Sequence, residues 1–197
     1  MAAFNLPTAP SMPAEAVARL EQGLTQAKCY LEFGSGGSTA LAQRLGVKAL
    51  ICIESDKDWL AALEENLPAP TGQRHLIHGD IGPTKEWGHP VNDQAWRRFH
   101  TYPLAGWRTA QEQGLEPDLV LIDGRFRRAC FYATQIFARP GTVILFDDYT
   151  DRPFYHSVER YGKPQAMHAR MAEFVVPKGL DKTALWLDFV EATTEVH

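Results

Sequence analysis

Residues able to bind a nucleoside are grouped early in the chain. Residues 31–39, Leu-Glu-Phe-Gly-Ser-Gly-Gly-Ser-Thr, join an apolar run to a helical pattern through a turn rich in glycine. Glycine lets the backbone turn tightly and lets a ligand approach the main chain. A second apolar run ends at Glu54, eighteen residues after Gly36, near the spacing at which a carboxylate binds a ribose. This combination predicts a nucleoside-binding site.

The charge beside the glycine turn indicates which nucleoside fits. Glu32 would repel the diphosphate of a nicotinamide dinucleotide, because two like charges in a semi-buried site are costly. Thr39 also stands where the dinucleotide fingerprint has glycine or alanine. A ligand with cationic ammonium and sulfonium groups would instead be attracted to Glu32. Further acids follow the later apolar runs, namely Asp80, Asp123, Asp147 and Asp148.

Three aspartates follow two neighbouring apolar runs. Asp123 ends the fourth run, and Asp147 and Asp148 end the fifth. The ends of neighbouring parallel strands would bring these carboxylates together as ligands for Mg²⁺ or Mn²⁺. A bound cation would hold and orient an acceptor hydroxyl. The alternative is an ion-pair network without metal, in which the aspartates are neutralised by arginines 125, 127, 128 and 152.

The same region offers an anchor for an acceptor and several proton acceptors. Arginine binds carboxylate or phosphate through two parallel hydrogen bonds, and Arg125 is the favoured contact. Arg127 and Arg128 open a helix and could equally face solvent. The candidates for the general base are Tyr149, Tyr155, His156 and the acids of the cluster.

The elements that position these residues form an α/β pattern. Strands are predicted at 29–33, 50–53, 75–77, 119–122 and 143–146, and helices at 13–26, 38–45, 56–67 and 127–139. The strands are continuous apolar runs, as expected of a parallel sheet covered on both faces. Two further strands, 172–176 and 184–190, are predicted to pair antiparallel at one edge. The predicted fold is one doubly wound, Rossmann-like domain with a mostly parallel seven-stranded sheet.

Residues 81–116 interrupt the alternation of strands and helices. This stretch is rich in tryptophan and proline, and we predict a lid or substrate insertion that is helical at 93–100 and brings Trp87 and Trp107 to the substrate. The alternative is a surface helix whose aromatic residues fill ordinary core. The domain spans 1–197, with 1–12 as a loose lead-in and Ser11 as a helix cap.

The amino-acid composition limits the kinds of binding partner and the cellular location that we expect for the protein. A net charge of −4 and a pI near 6.0 give no basic surface for nucleic acid. The sequence shows neither the charged start of a signal peptide nor an apolar run that could span a membrane. Cys29 and Cys52 lie in predicted buried strands, so reduced thiols and a cytoplasmic location are expected. The expected partner is a small-molecule acceptor, and the oligomeric state stays open.

Residues 29–190 resemble the class I S-adenosylmethionine-dependent methyltransferase family, including small bacterial methyltransferase-like proteins. The resemblance implies that residues 31–39, with Glu32 as the acidic residue, form the glycine motif. It further implies that Glu54 binds the ribose hydroxyls, that Asp80 contacts the adenine amino group and that Ile81 lies beside the ring. The implied cofactor contacts are Glu32, Gly34, Ser35, Gly36, Glu54, Ser55, Asp80, Ile81 and Asp123.

The aspartates are similar to those of metal-dependent O-methyltransferases, with one departure. Phe126 stands where catechol-type relatives often carry lysine, so the general base stays open. We expect methylation of a hydroxyl on a small acceptor, with Asp123, Asp147, Tyr149 and His156 as catalytic residues and Asp123, Asp147 and Asp148 as metal ligands. The alternatives are a non-catalytic S-adenosylmethionine-binding protein and, less favoured, a nicotinamide-dependent oxidoreductase.

Overall fold

The computed structural model describes residues 7–196, which form nine strands and six α-helices. The strands are β1 (Tyr30–Phe33), β2 (Ala49–Glu54), β3 (Gln73–His78), β4 (Thr84–Lys85), β5 (His89–Pro90), β6 (Leu119–Ile122), β7 (Val143–Phe146), β8 (Ala166–His168) and β9 (Met171–Val175). The helices are α1 (Ala14–Gln26), α2 (Gly37–Arg44), α3 (Lys57–Asn66), α4 (Thr101–Gln113), α5 (Arg127–Phe137) and α6 (Lys182–Ala192). Short 3₁₀ helices span Glu86–Gly88, Asp93–Arg98 and Pro153–Tyr161.

Seven strands form one sheet in the order β3-β2-β1-β6-β7-β9-β8. The first five in this order are parallel, and β9 runs antiparallel to both β7 and β8. The order reverses between β1 and β6, and in such sheets ligands bind beyond the carboxyl ends of the strands at this switch. The predicted doubly wound fold with an antiparallel edge is therefore confirmed.

One of the two predicted edge strands is wrong. Residues 184–190 lie inside α6, and the outermost strand is β8. Asp181 caps this helix by accepting a hydrogen bond from the Thr183 amide at 2.9 Å. Leu185 and Phe189 are buried four residues apart, which is helical spacing, and α6 packs on α5. The aspartate cap and the helical spacing of the buried residues both indicate a helix, and the prediction of a strand did not take them into account.

Half of the segment predicted as a lid belongs to the core. Helix α4 packs on the sheet, where a side chain at Gly106 would collide with Leu31 and Ile53. Its Tyr102 is fully buried and its ring packs against Phe126. For α4, the structure therefore agrees with the alternative prediction, a helix whose aromatic residues fill ordinary core. The preceding part, from 81 to 100, forms the β4–β5 hairpin and a 3₁₀ helix.

The described part of the lead-in is held against the glycine turn, in contrast to the prediction of a loose segment. The carbonyls of Thr8 and Ser11 accept hydrogen bonds from Arg44 and Arg170 at 3.1 and 3.0 Å. Ser11 does not cap α1, which begins after Pro13 without a side-chain cap. Residues 1–6 lie outside the described residues.

Two sequence expectations concern the rest of the described chain. Cys29, Cys52 and Cys130 are buried and free, as predicted for the first two. Over residues 7–196, no helix combines the length and the apolar character needed to cross a membrane.

Candidate functional site

A cavity of about 510 Å³ lies at the carboxyl ends of β1, β2, β6 and β7. The glycine turn after β1 forms its floor, and residues from the lead-in and the β4–β5 hairpin complete its walls. This is the switch point at which doubly wound sheets bind ligands. The structure thus brings together the ends of the predicted strands.

The ends of β1 and β6 approach each other through two glycines. Gly34 has a φ of +93°, and a Cβ there would lie 2.7 Å from the Gly124 Cα. A Cβ at Gly124 would in turn collide with the Tyr102 hydroxyl. Any larger residue at either position would push the strand ends apart.

Glu54 lies beside the glycine turn and is held by hydrogen bonds from neutral donors. Its Oε2 accepts from the Ser35 amide and hydroxyl, both at 2.9 Å. Its Oε1 accepts from the amides of Ser55 and Asp56 at 2.6 and 2.9 Å. Glu54 lines the cavity together with Gly34, Ser35, Gly36 and Ser55. The structure thus groups the core of the predicted nucleoside site around one oriented carboxylate.

Glu32 lies beneath the glycine turn, not in the cavity wall as predicted. It is fully buried and accepts hydrogen bonds from the hydroxyls of Ser38 and Thr39. Thr39 in turn accepts from the Gly36 amide at 2.9 Å. Burial raises the pKa of Glu32 to about 8. Glu32 is a strand residue whose side chain lies under α2, where its hydrogen bonds with Ser38 and Thr39 hold the glycine turn.

Asp80 and Ile81 lie outside the described lining of the cavity, which corrects their predicted place beside a nucleobase. Asp80 forms an exposed ion pair with Arg98 and accepts from the Gly82 amide at 3.0 Å. Ile81 is fully buried in the core. The hairpin contacts the end of β2 instead, because the Gly88 carbonyl accepts from the Ser55 hydroxyl at 2.9 Å.

The three aspartates at the ends of β6 and β7 are paired with three arginines. The fully buried Asp147 accepts from Arg170 Nε at 3.2 Å and Nη2 at 2.8 Å. Asp148 lies 2.9, 3.0 and 3.1 Å from nitrogens of arginines 170, 152 and 127. Arg127 also lies 3.0 Å from Asp123 Oδ1. Of the four arginines considered from the sequence, Arg127 and Arg152 pair with these aspartates, and Arg170 takes part as well. Arg128 pairs instead with Glu195, and Arg125 contacts His89.

This network does not fit the predicted divalent cation. Oxygens of Asp123, Asp147 and Asp148 lie within 4.8 Å of one another, as one ion would require. Three guanidinium groups already pair with these carboxylates, and a metal would have to displace them. Asp147 also lies outside the described cavity lining, so its predicted role beside the acceptor is not supported. Asp123 and Asp148 remain in the wall.

Tyr149 and His156 are directed away from the cavity, which corrects their predicted catalytic place. The Tyr149 hydroxyl donates to Glu159 at 2.9 Å, and burial raises the pKa of Tyr149 above its usual value. His156 Nε2 lies 3.2 Å from the Tyr149 carbonyl. The reason is the left-handed conformation of Asp148, with a φ of +56°, which reverses the chain. Tyr149 consequently packs back against Phe146.

The residues predicted to bind the acceptor divide between two places. Trp87, 82% exposed, and Arg125, 6% exposed, both line the cavity. Trp107 lies elsewhere, because it is on α4 and its ring stacks with that of Phe137. Phe126, at the position of the missing lysine, is fully buried in the core.

Sequence reasoning missed two residues that line this site. Arg170 follows β8 and reaches the aspartates because β9 pairs antiparallel with β7, and its carbonyl accepts from the Tyr149 amide at 2.8 Å. His89 belongs to the hairpin and contacts Arg125, with 2.5 Å between Nε2 and Nη1. No local motif marks either residue, because both contacts depend on pairing between distant segments.

The fold is Rossmann-like, and the cavity lies at the switch point of its sheet. No family model matches the chain, and no curated protein matches it. A solved structure, a methyltransferase-like protein from Silicibacter pomeroyi DSS-3, is 39% identical with a TM-score of 0.85. The match covers 95% of this chain and 99% of that one. The chain belongs to this family of methyltransferase-like proteins.

Proposed function

We propose that the protein is an S-adenosylmethionine-dependent methyltransferase that acts on a hydroxyl group of a small acceptor. The observation that carries the proposal is the position of Glu54, which lies in the same cavity wall as the glycine turn at the switch point of the sheet. The methyltransferase-like relative supports the methyl-transfer class.

The residues of this wall fit an adenosyl group. A Cβ at Gly36 would meet no atom within 4 Å, so the backbone of the turn is open to a ligand. Glu54 would accept hydrogen bonds from the ribose hydroxyls, and the amides that hold it fix its orientation. When bound, S-adenosylmethionine supplies an electrophilic methyl group on a positively charged sulfur. The chain itself then has to align the acceptor and exclude water.

Asp123 is the proton acceptor that we propose for the acceptor hydroxyl. It lines the cavity, and its side chain is 30% exposed. Burial raises the pKa of Asp123 to about 6, while the charge of Arg127 opposes this shift. A carboxylate with a pKa near the working pH is suited to receive a proton in the transition state.

We place this activity in the cytoplasm, a proposal supported by the three free, buried cysteines.

The cofactor is tested by calorimetric titration with S-adenosylhomocysteine, S-adenosylmethionine and NAD. Wild-type protein should bind both adenosyl ligands and not NAD. Glu54→Gln should weaken their binding about tenfold or more, because a charge-assisted hydrogen bond is worth about 1.5–3 kcal/mol. Glu116→Gln is the matched control, since Glu116 is half-exposed and pairs with Arg139 outside the described cavity lining. Absent binding of the adenosyl ligands, or preferential binding of NAD, would refute the proposal.

Catalysis is tested separately by screening hydroxylated small molecules for formation of S-adenosylhomocysteine. With an acceptor found in this way, Asp123→Asn should lower turnover about 100-fold or more, the usual contribution of a general base. Its affinity for S-adenosylhomocysteine should change little. Cofactor binding without product, across a broad set of acceptors, would favour the non-catalytic alternative.

A further inference from the structure

Among residues 7–196, Arg125 is a buried cation in the cavity wall without a carboxylate partner. It is 94% buried, and its Nε has no hydrogen-bond partner within residues 7–196. Its Nη1 contacts a ring nitrogen of His89, and no described carboxylate within residues 7–196 pairs with it. Buried polar groups are normally hydrogen-bonded, and an unpaired one at a cavity indicates a ligand.

The neighbouring charges leave Arg125 as the surplus cation of this part of the site. Arginines 127, 152 and 170 are matched by the three aspartates. Burial, and after it the charge of Arg127, lower the pKa of Arg125. A buried charge of this kind is costly until an opposite charge arrives.

The unpartnered side of the Arg125 guanidinium indicates the shape of the ligand group that it could bind. His89 contacts Nη1, whereas Nε, on the side of the guanidinium shared with Nη2, has no hydrogen-bond partner within residues 7–196. Two such donors match the paired oxygens of a carboxylate or a phosphate. The backbone that presents them is fixed, because the Arg125 amide donates to the Tyr102 hydroxyl at 3.3 Å.

We propose that Arg125, supported by His89, binds a carboxylate or phosphate group of the methyl acceptor, so that the substrate is an anionic small molecule. The proposal rests on the proposed methyltransferase function. The cofactor also carries a carboxylate, but its ammonium group stands on the adjacent carbon. Arg125, the cation that the aspartates leave unmatched, would repel that ammonium, which favours the acceptor as the source of the anion.

The test is a titration with inorganic phosphate at constant ionic strength, performed with and without saturating S-adenosylhomocysteine. Wild-type protein should bind phosphate saturably. Arg125→Gln should weaken this binding about tenfold, the equivalent of one lost charge-assisted hydrogen bond. Arg125→Lys, which keeps the charge and loses the paired donors, should give an intermediate affinity. Arg108→Gln, on the exposed face of α4, is the matched control and should behave as wild type.

The outcomes separate this inference from the proposed function. Equal phosphate binding by wild type and Arg125→Gln, or no saturable binding by wild type, would overturn the anion site. A loss of S-adenosylhomocysteine affinity in Arg125→Gln, with phosphate binding retained in the other variants, would assign the anion to the cofactor and overturn the acceptor assignment. Arg125-dependent phosphate binding in a protein that fails to bind S-adenosylhomocysteine would refute the methyltransferase function and leave the anion site standing.

Discussion

The two halves of the cavity hold their carboxylates by different means. In the half formed by β1 and β2, Glu54 receives hydrogen bonds from a hydroxyl and backbone amides. In the half formed by β6 and β7, the three aspartates receive guanidinium groups. Neutral donors orient a carboxylate without cancelling its charge, whereas guanidinium groups cancel it. The first half therefore suits a neutral diol or a cation, and the second, with Arg125 left over, suits an anion.

The halves also differ in how the backbone turns after each strand. Gly34, after β1, adopts a positive φ at no steric cost. After β6 and β7 the corresponding conformations belong to Phe126 and Asp148, with φ values of +52° and +56°. Such conformations cost about 1–3 kcal/mol each for residues with side chains and are concentrated at functional sites. The turns after β6 and β7, in the acceptor half of the cavity, therefore carry backbone strain that the turn after β1 avoids.

Removing Arg127 should have the largest effect on the acceptor half. Its guanidinium donates to the carbonyls of Gly124 and Asp147 at 3.0 and 2.8 Å and pairs with Asp123 and Asp148. Arg127→Met would leave Asp123 without its arginine and the carbonyls of Gly124 and Asp147 without these donors, and we expect a loss of about 3–5 kcal/mol in the free energy of unfolding. Urea denaturation measures this loss, and the thermal midpoint should fall by roughly 2–4 °C per kcal/mol.

The neighbouring arginine provides the control. Arg128 pairs with Glu195 near the surface, where the two side chains are 21% and 42% exposed. Arg128→Met should cost less than about 1 kcal/mol, because exposed ion pairs contribute little. Similar small losses in both variants would mean that the acceptor half does not depend on its ion pairs, and the comparison would fail.

Glu32, beneath the glycine turn, should make the free energy of unfolding depend on pH. Burial raises the pKa of Glu32 in the folded protein from 4.5 to about 8, so the folded state holds this proton more tightly than the unfolded state. The stabilising contribution is complete below pH 4.5 and is lost as the pH rises towards 8. Glu32→Gln resembles the neutral carboxyl, and its stability should fall less steeply across this window.

Thermal midpoints between pH 5 and 8.5, compared as slopes, measure this effect. Some pH dependence should remain in Glu32→Gln, because burial also raises the pKa of Asp123, to about 6. The slope of thermal midpoint against pH should therefore be smaller than in wild type but not zero. Glu116→Gln, at a half-exposed side chain, should retain the wild-type slope. Parallel curves for Glu32→Gln and wild type would show that Glu32 is not neutral in the folded protein.

The features that the sequence predicts well are those encoded locally. The apolar runs predict the five parallel strands, and the bounds of β6 and β7 agree with the predicted 119–122 and 143–146. The glycine turn and Glu54 flank the adjacent strands β1 and β2, so their approach follows from one strand-helix-strand unit. This part of the site needs no information from distant segments.

The remaining features depend on long-range packing or on single backbone angles. The contact of Arg170 with Asp147 requires the pairing of β9 with β7, which no spacing in the sequence specifies. The direction of Tyr149 follows from the left-handed Asp148, and aspartate gives only a weak signal for that conformation. The side of the sheet to which Glu32 points depends on strand register, because a shift of one residue would reverse it.

The smallest expected effect concerns Asp80, which the family resemblance places against the adenine. In the structure its side chain is 44% exposed and pairs with Arg98, outside the described cavity lining. Asp80→Asn should therefore change the affinity for S-adenosylhomocysteine less than about threefold, below the roughly 1.4 kcal/mol of a tenfold change. Calorimetric titration of Asp80→Asn and Glu54→Gln with S-adenosylhomocysteine, under the same conditions, compares the contributions of the two acids to affinity. A tenfold loss in Asp80→Asn would instead mean that the β4–β5 hairpin moves on binding, since Gly88 now contacts the end of β2 that such an adenine would approach.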